Sequence, residues 1–315
     1  MTISGFTIIR NGILFEYPFL ESMRSLLPLV DELIVNVGIS EDNTFQKLQD
    51  FSNSEGNGKI KCFLRDWELS KPENKINGLA LSEQTNFALN QCKGDWCFYL
   101  QADEVLHEKD YHYFYNILKQ VDKYTDIDCV LLNYYHFYGS YDTLQTSRSS
   151  YRREIRIFKN NNEVKSIGDA QSFRKNGHKK LNAVMSPMYI YHYGWVRTPE
   201  IMREKTFYFD QLYNGKEITS ENKQPWSGDN YRYKRILGLK KFHGTHPVVM
   251  QKIISQKNHT WDFKKLPLTW QLSDLKKIFL DSIERYTGIR FFEYRNYKII
   301  SKDFQHGHIH NSHNL

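Results

Sequence analysis

The sequence predicts an α/β fold: a mostly parallel sheet flanked by helices, continued by a helical C-terminal extension. Three observations predict it. Short apolar runs alternate with amphipathic runs of helix length over the first 135 residues. Strands separated by helix-length segments argue for βαβ units and a sheet covered on both faces. At 315 residues, the chain is long enough to bury roughly three-quarters of its unfolded surface without a disulfide or metal staple.

The elements follow in order. Phe6–Ile9 and Leu33–Val37 read as buried strands. Between them Phe19, Met23, Leu26 and Leu27 share one helical face. Ile60–Leu64 is a third strand, and Leu79–Gln91 a helix stopped near Gly94. Trp96–Leu100 is a fourth strand, followed by a helix over Glu108–Lys123 and a strand over Cys129–Tyr135. Tyr151–Phe158 alternates as a strand, with Arg152, Glu154 and Arg156 on one face and Arg153, Ile155 and Ile157 on the other. Tyr189–Tyr193 is another strand. From Pro199 helical patterns dominate: Glu200–Tyr213, a segment around Val248–Ile254, and Leu272–Tyr286. The polar stretches 215–229 and 257–267 read as loops. The four histidines from His306 to His313 read as a polar tail.

Composition narrows function. The 43 Lys+Arg against 36 Asp+Glu give a net charge of +7, which suggests an anionic partner. Six Trp, 21 Tyr and 20 Phe exclude disorder over most of the length. The basic residues are spread along the chain and no nucleic-acid motif appears, so no nucleic-acid partner is expected. No run of 18 apolar residues occurs. The N-terminus lacks a basic region before an apolar run. The four cysteines, Cys62, Cys92, Cys97 and Cys129, form no C-x-x-C pair and read as reduced core thiols. A cytoplasmic location is expected, with peripheral membrane contact at its inner face left open.

The most informative stretch is CKGDWCFYLQADEVLHE, Cys92 to Glu108. A buried strand runs straight into Gln101-Ala102-Asp103-Glu104. Carboxylates at the carboxyl end of a parallel strand sit at the mouth of the sheet, where ligands bind. There they can hold a hard divalent cation and, through it, phosphate. A solvated acidic turn is the alternative. His192, in the apolar strand Tyr189–Tyr193, reads by itself as a core histidine. His243 and His246 in GTHPVVM read as structural, with Pro247 opening a helix. Trp195, Tyr134, Tyr135, Tyr138 and Trp226 are candidates for stacking on a sugar.

The order of these segments resembles family 2-type glycosyltransferases of the GT-A fold, of the kind that build bacterial surface polysaccharide or lipopolysaccharide. The resemblance covers about residues 4 to 197. It rests on Phe6–Asn11, ELIVNVGISEDNT (Glu32–Thr44), GLALSEQTNFALNQCKGDW (Gly78–Trp96), Gln101–Glu104 at the D-x-D position, YRREIRIFK (Tyr151–Lys159) and IYHYGW (Ile190–Trp195). It departs from the family at Gln101, which replaces the first Asp of D-x-D. It departs again at Asn36-Val37-Gly38, where relatives carry aspartates, and at Thr85, where they carry Arg.

The resemblance implies a GT-A-like, Rossmann-type catalytic domain over 1–197, a helical extension over 198–300, and a tail over 301–315. It implies transfer of a sugar from a nucleotide-sugar donor to a saccharide or lipid-linked acceptor, with inversion and with Mn2+ or Mg2+. Asp103 and His192 would be the metal ligands. Asp169 would be the catalytic base, with Glu104 as fallback. Arg10, Asn11, Asn36, Gly38, Asp42, Asn86, Gln101, Ala102 and Arg153 would hold the nucleotide sugar. Two other functions stay open: a noncatalytic carbohydrate- or nucleotide-binding protein with a degraded D-x-D, and a sugar-phosphate nucleotidyltransferase. The latter normally opens on a Gly-rich basic loop, and Gly12 alone does not supply one.

Overall fold

The computed structural model describes residues 1–214, 231–256 and 261–300. Trp226 and the His306–His313 tail lie outside the described residues. The first half is built from β1 (Ile3–Ile9), α1 (Phe19–Leu26), β2 (Glu32–Gly38), α2 (Thr44–Glu55), β3 (Ile60–Arg65), α3 (Leu79–Asn90) and β4 (Trp96–Tyr99). The chain continues through β5 (Glu104–Leu106), α4 (Tyr111–Val121), β6 (Cys129–Tyr138), β7 (Ser140–Gln145), β8 (Arg153–Lys159), β9 (Val164–Ile167), β10 (Ser172–Lys175) and β11 (Leu181–Trp195). Last come α5 (Pro199–Asn214), β12 (Leu239–Lys241), α6 (Gln251–Gln256), α7 (Ser273–Thr287) and β13 (Tyr297–Ile299).

The fold is α/β, with a large central sheet flanked by helices. Its main path runs β12-β7-β6-β8-β4-β1-β2-β3. The stretch β3-β2-β1-β4 is parallel throughout. Beyond it β8 is antiparallel to β4 and β6, and β11 lies parallel to β6. Leu33, Val35 and Val37 of β2 pack on the layer that includes α1 and α4, whereas Ile34 packs with Phe6, Ala88 and Tyr99 on the opposite face. Both faces are covered, so Leu33–Val35 of β2 and the whole of β4 read as continuous apolar runs. Phe98 of β4 stacks on Phe114 of α4, with ring centroids 5.5 Å apart.

Strand order reverses between β1 and β4. The chain leaves β1 toward β2 and β3, then returns through α3 to the other side of β1. The carboxyl ends of β1 and β4 therefore flank the crevice where sheets of this kind bind ligands.

Several strands exceed or escape the expectation from sequence. β11 runs 15 residues, not five. A register shift between Met185 and Tyr189 accommodates Pro187, as a proline inside a sheet requires. The Asn133 side-chain amide donates there to the carbonyls of Ser186 (2.9 Å) and Met188 (3.1 Å). The C-terminal segment is not helices alone: β12 joins β7, and β13 joins β11.

One buried pair fixes the turn after β4. Arg156 of β8 donates from Nε and Nη2 to both Glu104 carboxylate oxygens, at 2.9 and 2.8 Å. Tyr134 Oη donates to Glu104 at 2.8 Å, and the Gln101 backbone N–H at 3.0 Å. Both charged side chains are fully buried. Removing one member of such a pair leaves an uncompensated charge, at a cost of ~3–5 kcal/mol. Arg156→Leu is expected to lower unfolding free energy by about that amount in urea titrations. A loss below ~1 kcal/mol would show that the pair does not hold the turn.

Candidate functional site

A cavity of about 410 Å³ opens at the crevice between β1 and β4. Of the residues picked from sequence, Arg10, Gln101, Ala102, Asp103, Asp169 and His192 line it, as does Trp195. They come from four places in the chain, brought together by the sheet. Arg10 ends β1. Gln101–Asp103 form the turn after β4. Asp169 sits in the β9–β10 turn, and His192 lies near the end of β11.

Strand register sets Asp103 against His192. β5 runs antiparallel to β11 with Glu104 opposite His192, and the Tyr193 N–H donates to the Asp103 carbonyl at 2.8 Å. His192 Nε2 then lies 3.7 Å from Asp103 Oδ2. The opening between them depends on Gly194. A Cβ there would fall 2.6 Å from His192 Nε2 and 3.0 Å from Asp103 Oδ2.

Hydrogen bonds assign the imidazole tautomers. His136 Nε2 lies 2.8 Å from the Tyr151 carbonyl and must donate to it. Neutral His136 therefore accepts at Nδ1, so His192 Nδ1, 3.0 Å away, donates. That leaves a lone pair on His192 Nε2, facing a carboxylate that also lacks a proton. Burial holds both histidines below the usual range and takes His136 down to about 3. Burial alone would raise the Asp103 carboxyl. Lys205, His192 and Arg197 outweigh it and bring the group down to about 2.

Two lone-pair donors facing one gap, 3.7 Å apart, match the chemistry that a divalent cation would need. The residues present therefore fit the implied cation. Among the described residues no cluster of three or more His, Cys, Asp or Glu ligands occurs, so phosphate oxygens and water would complete the shell.

The wall opposite the sheet is α5. Thr198 and Pro199 start it, a pairing suited to a helix N-terminus. Met202, Lys205, Thr206, Phe209 and Tyr213 then recur at helical spacing and all line the cavity. The site thus extends past residue 197, the expected end of the catalytic domain. Lys205 Nζ lies 3.3 Å from Asp103 Oδ2 and donates to the Gly194 carbonyl at 2.9 Å. The Tyr17 ring centroid is 4.7 Å from it. Burial pulls the ammonium down to about 8, against the attraction of Asp103. Sequence reading missed Lys205. Its signal was its place on the cavity face of a helical repeat.

Asp169 sits in a tight turn between Gly168 (φ 58°) and Ala170 (φ 61°). Tyr213 Oη donates to its Oδ2 at 3.0 Å. Gly78 (φ 70°) opens α3 beneath it, where a Cβ would lie 2.9 Å from the Asp169 Cβ. Arg10 is held by the Ile39 carbonyl (2.8 Å), Tyr208 Oη (2.6 Å) and Glu41 (3.2 Å).

Seven expected site residues lie outside the cavity lining, each with a structural role instead. Glu104 is locked by Arg156 and cannot serve as a base. Asn36 is buried and donates to the Gln84 carbonyl at 2.9 Å. Asp42 accepts from the backbone N–H groups of Thr44 (2.9 Å) and Leu14 (2.7 Å). Asn86 clamps Ser166 of β9 through both its N–H and its carbonyl. Asn11 accepts from the Glu41 N–H at 2.9 Å. Gly38 gives room to the Trp67 indole, which a Cβ would meet at 2.8 Å. Arg153 donates to Asn133 at 2.8 Å. The other basic residues near β8 also turn away: Arg148 grips Asp281 and Glu284 of α7 (2.9 Å each), and Arg152 pairs with Glu284. Tyr134 bonds Glu104, Tyr135 stacks on Tyr189, and Tyr138 packs against Tyr233 and Trp261. His246 accepts from or donates to Tyr193 Oη at 2.8 Å within an aromatic cluster.

No protein-family model and no curated protein matches the chain. Among solved structures it is similar to S. aureus TarS 1-349, with a TM-score of 0.37 and 15% identity, over 66% of this chain and 64% of that chain. A second is the mannosyltransferase PcManGT from Pyrobaculum calidifontis in complex with GDP-Man and Mn2+, with a TM-score of 0.31 and 15% identity, over 41% and 34%. A third is glucosyl-3-phosphoglycerate synthase from Mycobacterium tuberculosis in complex with Mn2+, UDP and phosphoglyceric acid, with a TM-score of 0.30 and 20% identity, over 42% and 43%. The chain thus spans less than two thirds of each of these structures. Among the described residues no helix is long and apolar enough to cross a membrane.

The buried imidazoles set a pH dependence. Below about pH 6.5 the unfolded chain binds protons that the folded chain refuses, so stability falls as pH drops from there toward about 3. His136→Gln removes one such proton. The slope of unfolding free energy between about pH 6 and 4 is expected to shrink by about 1.4 kcal/mol per pH unit. Urea titrations across that range measure it, and an unchanged slope would contradict the neutral His136 assignment.

Proposed function

We propose that this chain is a glycosyltransferase that moves a sugar from a nucleotide-sugar donor to a saccharide or lipid-linked acceptor. The observation that carries the reading is one cavity at the sheet's reversal point that gathers Asp103, the His192 Nε2 lone pair, the Lys205 ammonium, Arg10 and Asp169. Positive charge and the Asp169 carboxylate line one cavity of about 410 Å³.

Sugar transfer with inversion asks for both. The acceptor hydroxyl oxygen bonds to the anomeric carbon, the bond from that carbon to the phosphate oxygen breaks, and the diphosphate leaves with the electron pair. Asp169 takes the hydroxyl proton, oriented by Tyr213. Lys205 and Arg10 meet the leaving negative charge in a site where burial strengthens their effect. Asp103 and His192 would hold a Mn2+ or Mg2+ ion, which when bound supplies further charge neutralisation at the diphosphate. Gln101 adds no charge. Its side chain reaches toward the Ala170 carbonyl at 3.5 Å and lines the donor side of the same cavity. The Trp195 ring, 41% exposed at the cavity mouth, offers a face for a sugar ring.

Calorimetry with UDP, GDP and CMP, each with and without Mn2+, tests the reading. One nucleotide is expected to bind, and Asp103→Ala to abolish the cation-dependent part without unfolding the protein. Binding of none would overturn it. For the base, Asp169→Asn is expected to lower kcat by about 10²–10⁴-fold with nucleotide affinity unchanged. Near-normal turnover would remove Asp169 from that role.

A further inference from the structure

Lys205 occupies a place that the cation reading does not need and that it has to explain. The residue is 8% exposed. It touches the same oxygen of Asp103, Oδ2, that faces His192 Nε2. The Gly194 carbonyl takes a second ammonium N–H at 2.9 Å, and the Tyr17 and Phe209 rings lie 4.7 and 5.7 Å away. The site is thus already built around a cation, and that cation belongs to the chain. With Gln101 at the first D-x-D position, Asp103 is, among the described residues, the carboxylate that meets both His192 and Lys205. One carboxylate oxygen cannot fully satisfy an ammonium and a divalent ion together, because the two positive charges repel within a buried space.

We infer that Lys205 is a resident cation that competes with a divalent ion for Asp103. With nothing bound, the ammonium neutralises Asp103 and keeps it ionised in a buried site. A divalent ion takes the position only by displacing the ammonium, and Lys205 then faces the phosphate. Bare protein consequently holds the ion weakly, and removing the ammonium frees a ready donor pair. The inference rests on Asp103 and His192 as the ion's ligands. It is tested without any nucleotide, so its failure is separate from failure of the proposed sugar transfer.

The experiment is a Mn2+ titration of nucleotide-free protein, followed by the electron paramagnetic resonance signal of free Mn2+. Lys205→Met is expected to bind Mn2+ at least tenfold more tightly than the wild-type chain. Lys205→Gln, which can still donate to the Gly194 carbonyl, is expected to behave the same way and serves if the methionine variant fails to fold. Lys205→Arg, which keeps the charge, is expected to stay weak. Adding Asp103→Asn to Lys205→Met should remove the gain. Equal or weaker Mn2+ binding by the folded neutral variants would overturn the inference. So would a gain that survives Asp103→Asn, since the ion would then lie elsewhere.

Discussion

The site depends first on a bond that never meets substrate. Glu104 and Arg156 form a fully buried pair between β5 and β8, closed by Tyr134 and the Gln101 N–H. The pair pins both ends of the turn Gln101–Glu104. Asp103 therefore leaves the sheet at a fixed angle, with its carbonyl tied to β11 and its carboxylate turned into the crevice. Two neighbouring carboxylates in sequence thus have opposite fates. One is neutralised inside the sheet and holds position, while the next meets the cavity.

Charge follows the same logic. A net +7 suggests an anionic partner but does not say where it sits. Most of the basic residues near β8 are committed to structural acids or amides: Arg156 to Glu104, Arg148 and Arg152 to α7, Arg153 to Asn133. Among the described residues, the cavity draws its positive charge from Arg10, just after β1, and from Lys205 on α5. Both are partly desolvated and both are held by named partners, so they act as fixed charges and not as mobile surface groups.

Much of the scaffold was legible in the sequence. The buried strands and the helices over Phe19–Leu26 and Leu79–Asn90 announce themselves by short runs rich in apolar residues or by a period near 3.6. Asp103, His192, Asp169, Arg10 and Gln101, picked from separate segments, line one cavity. What escaped has physical reasons. β5 is three residues long and sits in an acidic turn. β11 hides its length behind Pro187, which reads as a break until the register shift is seen. Asn36, Asp42 and Asn86 match the family's positions, but each is consumed by a backbone partner that only the fold brings near. Lys205 contacts a residue 102 positions away, and no local pattern encodes such a meeting. The extension expected to pack on the catalytic domain supplies α5, which lines the cavity.

The most direct test of the central claim is a crystal structure of the protein soaked with UDP or with GDP. Nucleotide is expected in the crevice between β1 and β4, with the diphosphate against Asp103, His192 and Lys205 and within reach of Arg10. A nucleotide bound elsewhere, or an empty crevice at saturating concentration of both, would contradict it.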